Sequence, residues 1–285
     1  MIDEIIQNAK ENKYDKDAYI KRKKEQKEKA YKIIDEAFDD LRKSPEALKG
    51  YFDIQSKFDM YTPRNALLIY KQFPNAIQLK TRNDWKELNA TFKNKNPQMI
   101  TILEPGESYQ SNGRTFTPYN AKNMIDISET TNQIMIKTYD IKFILQALLH
   151  ECPVNIKVVD NLYNDRLCEC NTDDQVLYLA KRETIDNEYL KAVASELAKM
   201  YLYESTNELD YVKSECIGYM FCKKYGFETN LKCLEKLCSK YSNLENQEIA
   251  NDLSSMKEII QDMNSRVNQY LDEKTKKIND KEQER

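Results

Sequence analysis

Residues able to do acid-base or metal chemistry are few in this chain. There is one histidine, His150, so a zinc site built on His-x-x-x-His is excluded, and any Ser-His-Asp or Cys-His device has a single candidate base. His150-Glu151 opens like His-Glu-x-x-His, but Val154 stands where the second histidine belongs. Pro153 would also break the helix that aims both ligands at one metal. His150 therefore reads as structural. The seven cysteines, at 152, 168, 170, 216, 222, 233 and 238, include no Cys-x-x-Cys pair and read as reduced, mostly buried thiols. The five glycines, at 50, 106, 113, 218 and 226, fit neither Gly-x-Gly-x-x-Gly nor a phosphate-cradling loop, which excludes the common nucleotide folds. No metal and no cofactor is expected.

Two constellations remain. Between Ser56 and Met124 ten Lys/Arg stand against five Asp/Glu, a local +5, while the remainder holds 34 against 42, or −8. The whole chain, at −3, has no bulk attraction for nucleic acid. In the basic region Arg64, Lys71, Lys80, Arg82, Lys86, Lys93, Lys95 and Arg114 alternate with Phe58, Tyr61, Tyr70, Phe73, Trp85, Phe92 and Tyr109. Cations that track phosphates and rings on which bases stack are the parts of a single-strand binder; rings at these spacings are more often core than stacking platforms. The second constellation is Ser195-Glu196-Leu197-Ala198-Lys199 with Glu215. Glu215 falls beside Val212, Cys216 and Tyr219 on the apolar face of its helix, where an unpaired carboxylate is costly. Lys199, one turn beyond Ser195, is the cation expected to meet it.

The elements that must carry these residues can be read from periodicity and punctuation. Tyr31, Ile34, Phe38 and Leu41 form an amphipathic stripe in a charged N-terminal helix, and the run Lys21 to Lys29 reads as its solvated face. Ser44-Pro45-Glu46 and Thr62-Pro63-Arg64 are helix starts with a capping hydroxyl and proline in the first turn. Prolines 63, 74, 97, 105 and 118 punctuate the basic region, Met99 to Leu103 reads as a strand, and Asn112-Gly113 as a hairpin tip. Beyond Ile141 helices dominate, at 188–203 and 208–225, the second ending at Gly226, with a strand at Val176 to Leu179. Ile249, Leu253, Met256, Ile260, Met263, Val267 and Tyr270 make an a/d seam, to be packed on its own domain or on a second copy. The tail from Lys274 to Arg285 reads as frayed. The start shows no secretory signal and no stretch nears the ~20 apolar residues of a bilayer span, so a cytoplasmic address and no membrane partner are expected.

Phe58-Asp59-Met60-Tyr61-Thr62-Pro63-Arg64-Asn65-Ala66-Leu67-Leu68-Ile69, Gln72-Phe73-Pro74-Asn75-Ala76 and Asp84-Trp85-Lys86-Glu87-Leu88 resemble the N-terminal domain of the ArdC antirestriction family. Ile100-Thr101-Ile102-Leu103-Glu104-Pro105, Gly113-Arg114 and Ile125-Asp126-Ile127-Ser128-Glu129-Thr130 continue the order, over about 75 residues. The resemblance implies a single-stranded-DNA-binding domain followed by a zincin-like metallopeptidase domain related to ImmA/IrrE, usually carried by mobile elements. It further implies that Ser195 and Lys199 stand where that domain holds its two histidines. Glu196 and Glu215 keep the general-base and third-ligand places. A hydroxyl and an ammonium cannot replace two imidazoles on zinc. Asn94-Lys95-Asn96-Pro97 departs from the family's Lys-Gly turn.

The expectation is an α+β chain with a charged helical arm (1–50), an ArdC-like domain (51–135), a degenerate zincin-like domain with a short sheet (136–245) and a C-terminal amphipathic helix (246–285). The function expected is a non-catalytic single-stranded-DNA binder of a mobile element, of antirestriction or conjugation-accessory type. Tyr61, Phe73 and Trp85 are expected to stack on bases, and Arg64, Asn65, Lys71, Lys80, Arg82, Lys86, Lys93, Lys95 and Arg114 to contact the strand. The Lys199 ammonium is expected to replace the metal's charge against Glu215 or Glu196. One alternative is a protein-interaction module in which the degenerate zincin-like domain and the heptad tail bind a partner, with no DNA binding, a reading that self-association through 249–270 would favour. Another is a residual hydrolase using Cys152 near His150.

Overall fold

The structure, a computed structural model, describes residue 2 and residues 16–132, 138–150 and 152–283. Glu151 lies outside the described residues. The chain is α+β, helices with small sheets. Helices α1 (Lys16–Lys43), α2 (Pro45–Lys57) and α3 (Pro63–Gln72) come first. As the sequence predicts, the Ser44 hydroxyl accepts from the Ala47 amide and the Thr62 hydroxyl from the Asn65 amide, each with proline in the first turn.

These helices pack on an antiparallel sheet, β1 (Leu79–Lys80), β5 (Tyr119–Asp126) and β2 (Ile100–Pro105), in the order β1-β5-β2. Between the strands lie α4 (Arg82–Glu87) and the hairpin β3 (Tyr109–Ser111) and β4 (Arg114–Phe116). At the hairpin tip Asn112 and Gly113 have φ of 52° and 73°, the left-handed pair that a two-residue turn requires. β2 is an edge strand, and α3 covers that edge with side-chain amides. Asn65 donates to Leu103 O at 2.9 Å and accepts from Leu103 N at 2.8 Å; Gln72 treats Thr101 in the same way, at 2.9 Å both ways. Residues two apart on a strand present their amides to the same side, so two amides one helix-length apart close it. The buried Asp126 carboxylate accepts from the amides of Ile77, Gln78 and Ser128 at 2.7 to 3.0 Å, tying β1 to the end of β5.

The second half begins with α5 (Ile141–His150), then the sheet β6 (Asn155–Val159), β8 (Val176–Ala180) and β7 (Cys168–Asn171), with β8 central, parallel to β6 and antiparallel to β7. Helices α6 (Asn187–Thr206), α7 (Tyr211–Lys224), α8 (Leu234–Tyr241) and α9 (Asn246–Gln283) follow. Gly226, with φ of 85°, lies just past the end of α7.

One buried cluster runs from Ala30 on α1 to Leu271 on α9, and a small second cluster holds Trp85, Ala90, Ile125 and Ile127. The whole seam from Ile249 to Tyr270 is buried in the main cluster, so it packs on its own chain and offers no open face there for a second copy. Helix α9 is helical to Gln283, and residues 284–285 lie outside the described residues. Among the described residues no helix is long and apolar enough to cross a membrane.

Candidate functional site

Helix α6 starts at Asp186, whose carboxylate accepts from the Tyr189 amide at 2.8 Å, and α7 at Asp210, which accepts from the Lys213 amide at 2.9 Å. The two helices cross where Ser195 meets Gly218. A Cβ on residue 218 would lie 2.1 Å from Ser195 Oγ and 2.9 Å from the Lys191 carbonyl. Glycine at 218 is what lets the backbones approach this closely. Ser195 Oγ is buried with no hydrogen-bond partner, packed against the neighbouring helix.

One turn on, Lys199 is buried and its ammonium pairs with the largely buried Glu196 carboxylate. Glu196 also accepts from the Cys170 amide on β7 at 2.9 Å, and the Tyr211 ring lies 4.8 Å from the ammonium. Burial by itself lowers the Lys199 pKa, but the hydrogen bond and charge of Glu196 outweigh it, and the net shift is upward. Cys170, desolvated and beside the same carboxylate, is pushed up to about 12. It is a protonated thiol, not a nucleophile.

Glu215 does not meet Lys199. Its oxygen lies 3.5 Å from the ammonium of Lys191 and accepts from the Lys232 amide at 3.1 Å. Lys191 sits four residues before Ser195 on the same helical face, a spacing the sequence shows, and it reaches Glu215 first. A transition metal does not fit these residues. Glu196 is occupied by an ammonium, Ser195 faces a neighbouring backbone, and among the described residues no three His, Cys, Asp or Glu side chains could hold an ion.

The residues expected to touch nucleic acid fall into two groups. Trp85 is 1% exposed and its indole donates to Ile125 O at 2.8 Å. It is the core of the small cluster and cannot be a stacking platform. Asn65 is likewise buried on Leu103 and holds the fold, not a strand of DNA. Tyr61 and Phe73 are half-buried against the main core. Lys71 is paired with Asp40 at 2.6 Å, Lys93 donates to Ser128 O at 2.7 Å, and Arg82 lies 4.7 Å over the Phe92 ring. Lys80 lies 6.0 Å from the Trp85 ring. Arg64, Lys86, Lys95 and Arg114 are exposed, Arg64 donating to Gln247 at 2.9 Å.

No protein-family model and no curated protein matches this chain. Solved structures do. The Mn(II)-bound crystal structure of the antirestriction protein ArdC from plasmid R388 superposes with a TM-score of 0.56 at 10% identity, over 84% of this chain and 97% of that one. Its metal-free structure gives 0.51 at 9% identity, over 73% and 86%. The likeness is one of fold. It spans 97% of the Mn(II)-bound chain and 86% of the metal-free one.

Proposed function

We propose that the chain is a non-catalytic single-stranded-DNA-binding protein of a mobile genetic element, of antirestriction or conjugation-accessory type, whose peptidase-like half is inactive. The observation that carries the reading is the buried Lys199–Glu196 pair: a fixed cation lies on the carboxylate that a zincin would use as its general base. An ammonium held against that carboxylate takes the place a divalent ion would occupy beside it and repels such an ion. The fold shared with a plasmid antirestriction protein supports the biological context, and the cations that line the hollows beside Tyr119 support the ligand. Lys199 replaces the metal's positive charge and keeps Glu196 paired within the core.

Two measurements test this on the full chain. Calorimetric titration with Mn(II) and with Zn(II) is expected to show no stoichiometric binding; a site formed by Glu196 and Glu215 would overturn the inactive-centre reading. Fluorescence anisotropy of a labelled single strand against its duplex, over a salt series, is expected to show tighter single-strand binding that weakens as salt rises. Absence of binding to both would leave the interaction-module alternative in front.

A further inference from the structure

We propose that the strand lies in the cleft between α1 and the start of β5, along the stripe Tyr19, Lys23, Lys27 and Tyr31, and not across the 61–114 face; this rests on the single-strand reading above. These four residues are spaced by four, so they share one helix face and extend over roughly 18 Å at 1.5 Å per residue. That is room for about three to five nucleotides at or beyond the 3.4 Å strand repeat. Lys23 lies 5.9 Å from the Tyr19 ring and Lys27 6.0 Å from that of Tyr31. The stripe thus alternates ring and cation, the pattern that grips bases and phosphates together.

The opposite wall is Tyr119 to Ala121, and the Lys23 ammonium donates to Ala121 O at 3.2 Å, which pins the helix to the strand. The cleft holds about 540 Å³, a ligand-sized volume. Tyr119 also borders a second hollow of about 190 Å³ that reaches Tyr31 and Arg64 at the first turn of α3. Across both hollows no lining residue among those described is Asp or Glu, in a chain that has 47 of them. Charge complementarity therefore selects a polyanion.

The hairpin extends the platform. β3 and β4 are exposed along their whole length, yet carry Tyr109 and Phe116 stacked at 5.8 Å, 56% and 45% exposed. A hairpin with no core does not need two rings for packing against the domain, and its second strand leads within three residues to Tyr119. Trp85 and Asn65, by contrast, are buried within the fold.

The experiment measures anisotropy of a fluorescein-labelled oligo-dT strand with four full-length proteins, the parent and three variants, at several salt concentrations. Lys23→Gln, Lys24→Gln and Lys27→Gln in one variant are expected to raise Kd at least tenfold near 0.1 M salt. The slope of log K against log salt should fall by about two, at ~0.7 per phosphate contact. Lys86→Gln, Lys93→Gln and Lys95→Gln in a second variant are expected to stay within about twofold of the parent. Tyr119→Ala is expected to weaken binding by about tenfold with the salt slope unchanged, as loss of one stacked base would. If the second variant carries the loss and the first does not, the cleft is wrong while single-strand binding stands. If the parent protein binds no strand, both fall. Circular dichroism melts of each variant confirm that the substitutions leave the fold intact.

Discussion

Around the α6–α7 crossing each named cation sits on a carboxylate: Lys199 on Glu196, Lys191 on Glu215, and nearby Lys213 on Asp252. In the first half the hollows beside Tyr119 hold cations with no carboxylate among their described lining residues. The same side chain types thus do different work in the two halves. Paired and desolvated charges fix an internal geometry and are costly to break, whereas solvated ones leave stability almost unaffected and remain available to a ligand. A basic local composition therefore does not locate a binding face until the internal partners of each cation have been subtracted.

The contrast can be broken most directly at Lys199. Lys199→Ala leaves Glu196 buried against Cys170 without its cation and is expected to cost about 3–5 kcal/mol in urea unfolding. Lys199→Met combined with Glu196→Gln is expected to recover most of that loss, because neither charge remains to be desolvated. In the parent protein the pair's contribution should be complete below about pH 10.5, the ordinary lysine value, and fall as pH rises through the raised folded value. Trp85→Ala empties the small cluster and is expected to cost about 3–5 kcal/mol, with single-strand affinity nearly unchanged at temperatures where the variant is folded. A loss of affinity without a loss of stability would return Trp85 to the binding face.

Smaller effects sharpen the same comparison. Gly218→Ala places a methyl against the Lys191 carbonyl and Ser195, and is expected to destabilise by about 1–3 kcal/mol through overpacking. Ser44→Ala removes a cap far from both sites and is expected to cost about 1 kcal/mol, with no change in DNA affinity. Thermal and chemical unfolding read both.

Much of the secondary structure was legible because its signals are local. The capping hydroxyls, the Asn112-Gly113 turn and the stop at Gly226 depend only on neighbours in the chain. The burial of the 249–270 seam was half legible: the a/d spacing announces an apolar face but not whose surface covers it. At the site, the losses at 195 and 199 were readable from residue type, since serine and lysine are poor zinc ligands in any fold. Which carboxylate Lys199 meets was not, because helices α6 and α7 cross at a glycine whose close approach brings Lys191 to Glu215 first. Asn65 and Gln72 were misread or passed over for a related reason. An amide that closes a sheet edge has the same residue type as one that reads a base, and only the position of β2 distinguishes them.

Helix α9 lies against α1, α3, α5, α6 and α7, yet it follows every one of them in the chain. During synthesis those five helices must therefore wait with apolar faces uncovered until residues 249 to 271 leave the ribosome. A product interrupted before that point would lack the element that completes the main core, and it would be a substrate for chaperones and proteases rather than a smaller working protein.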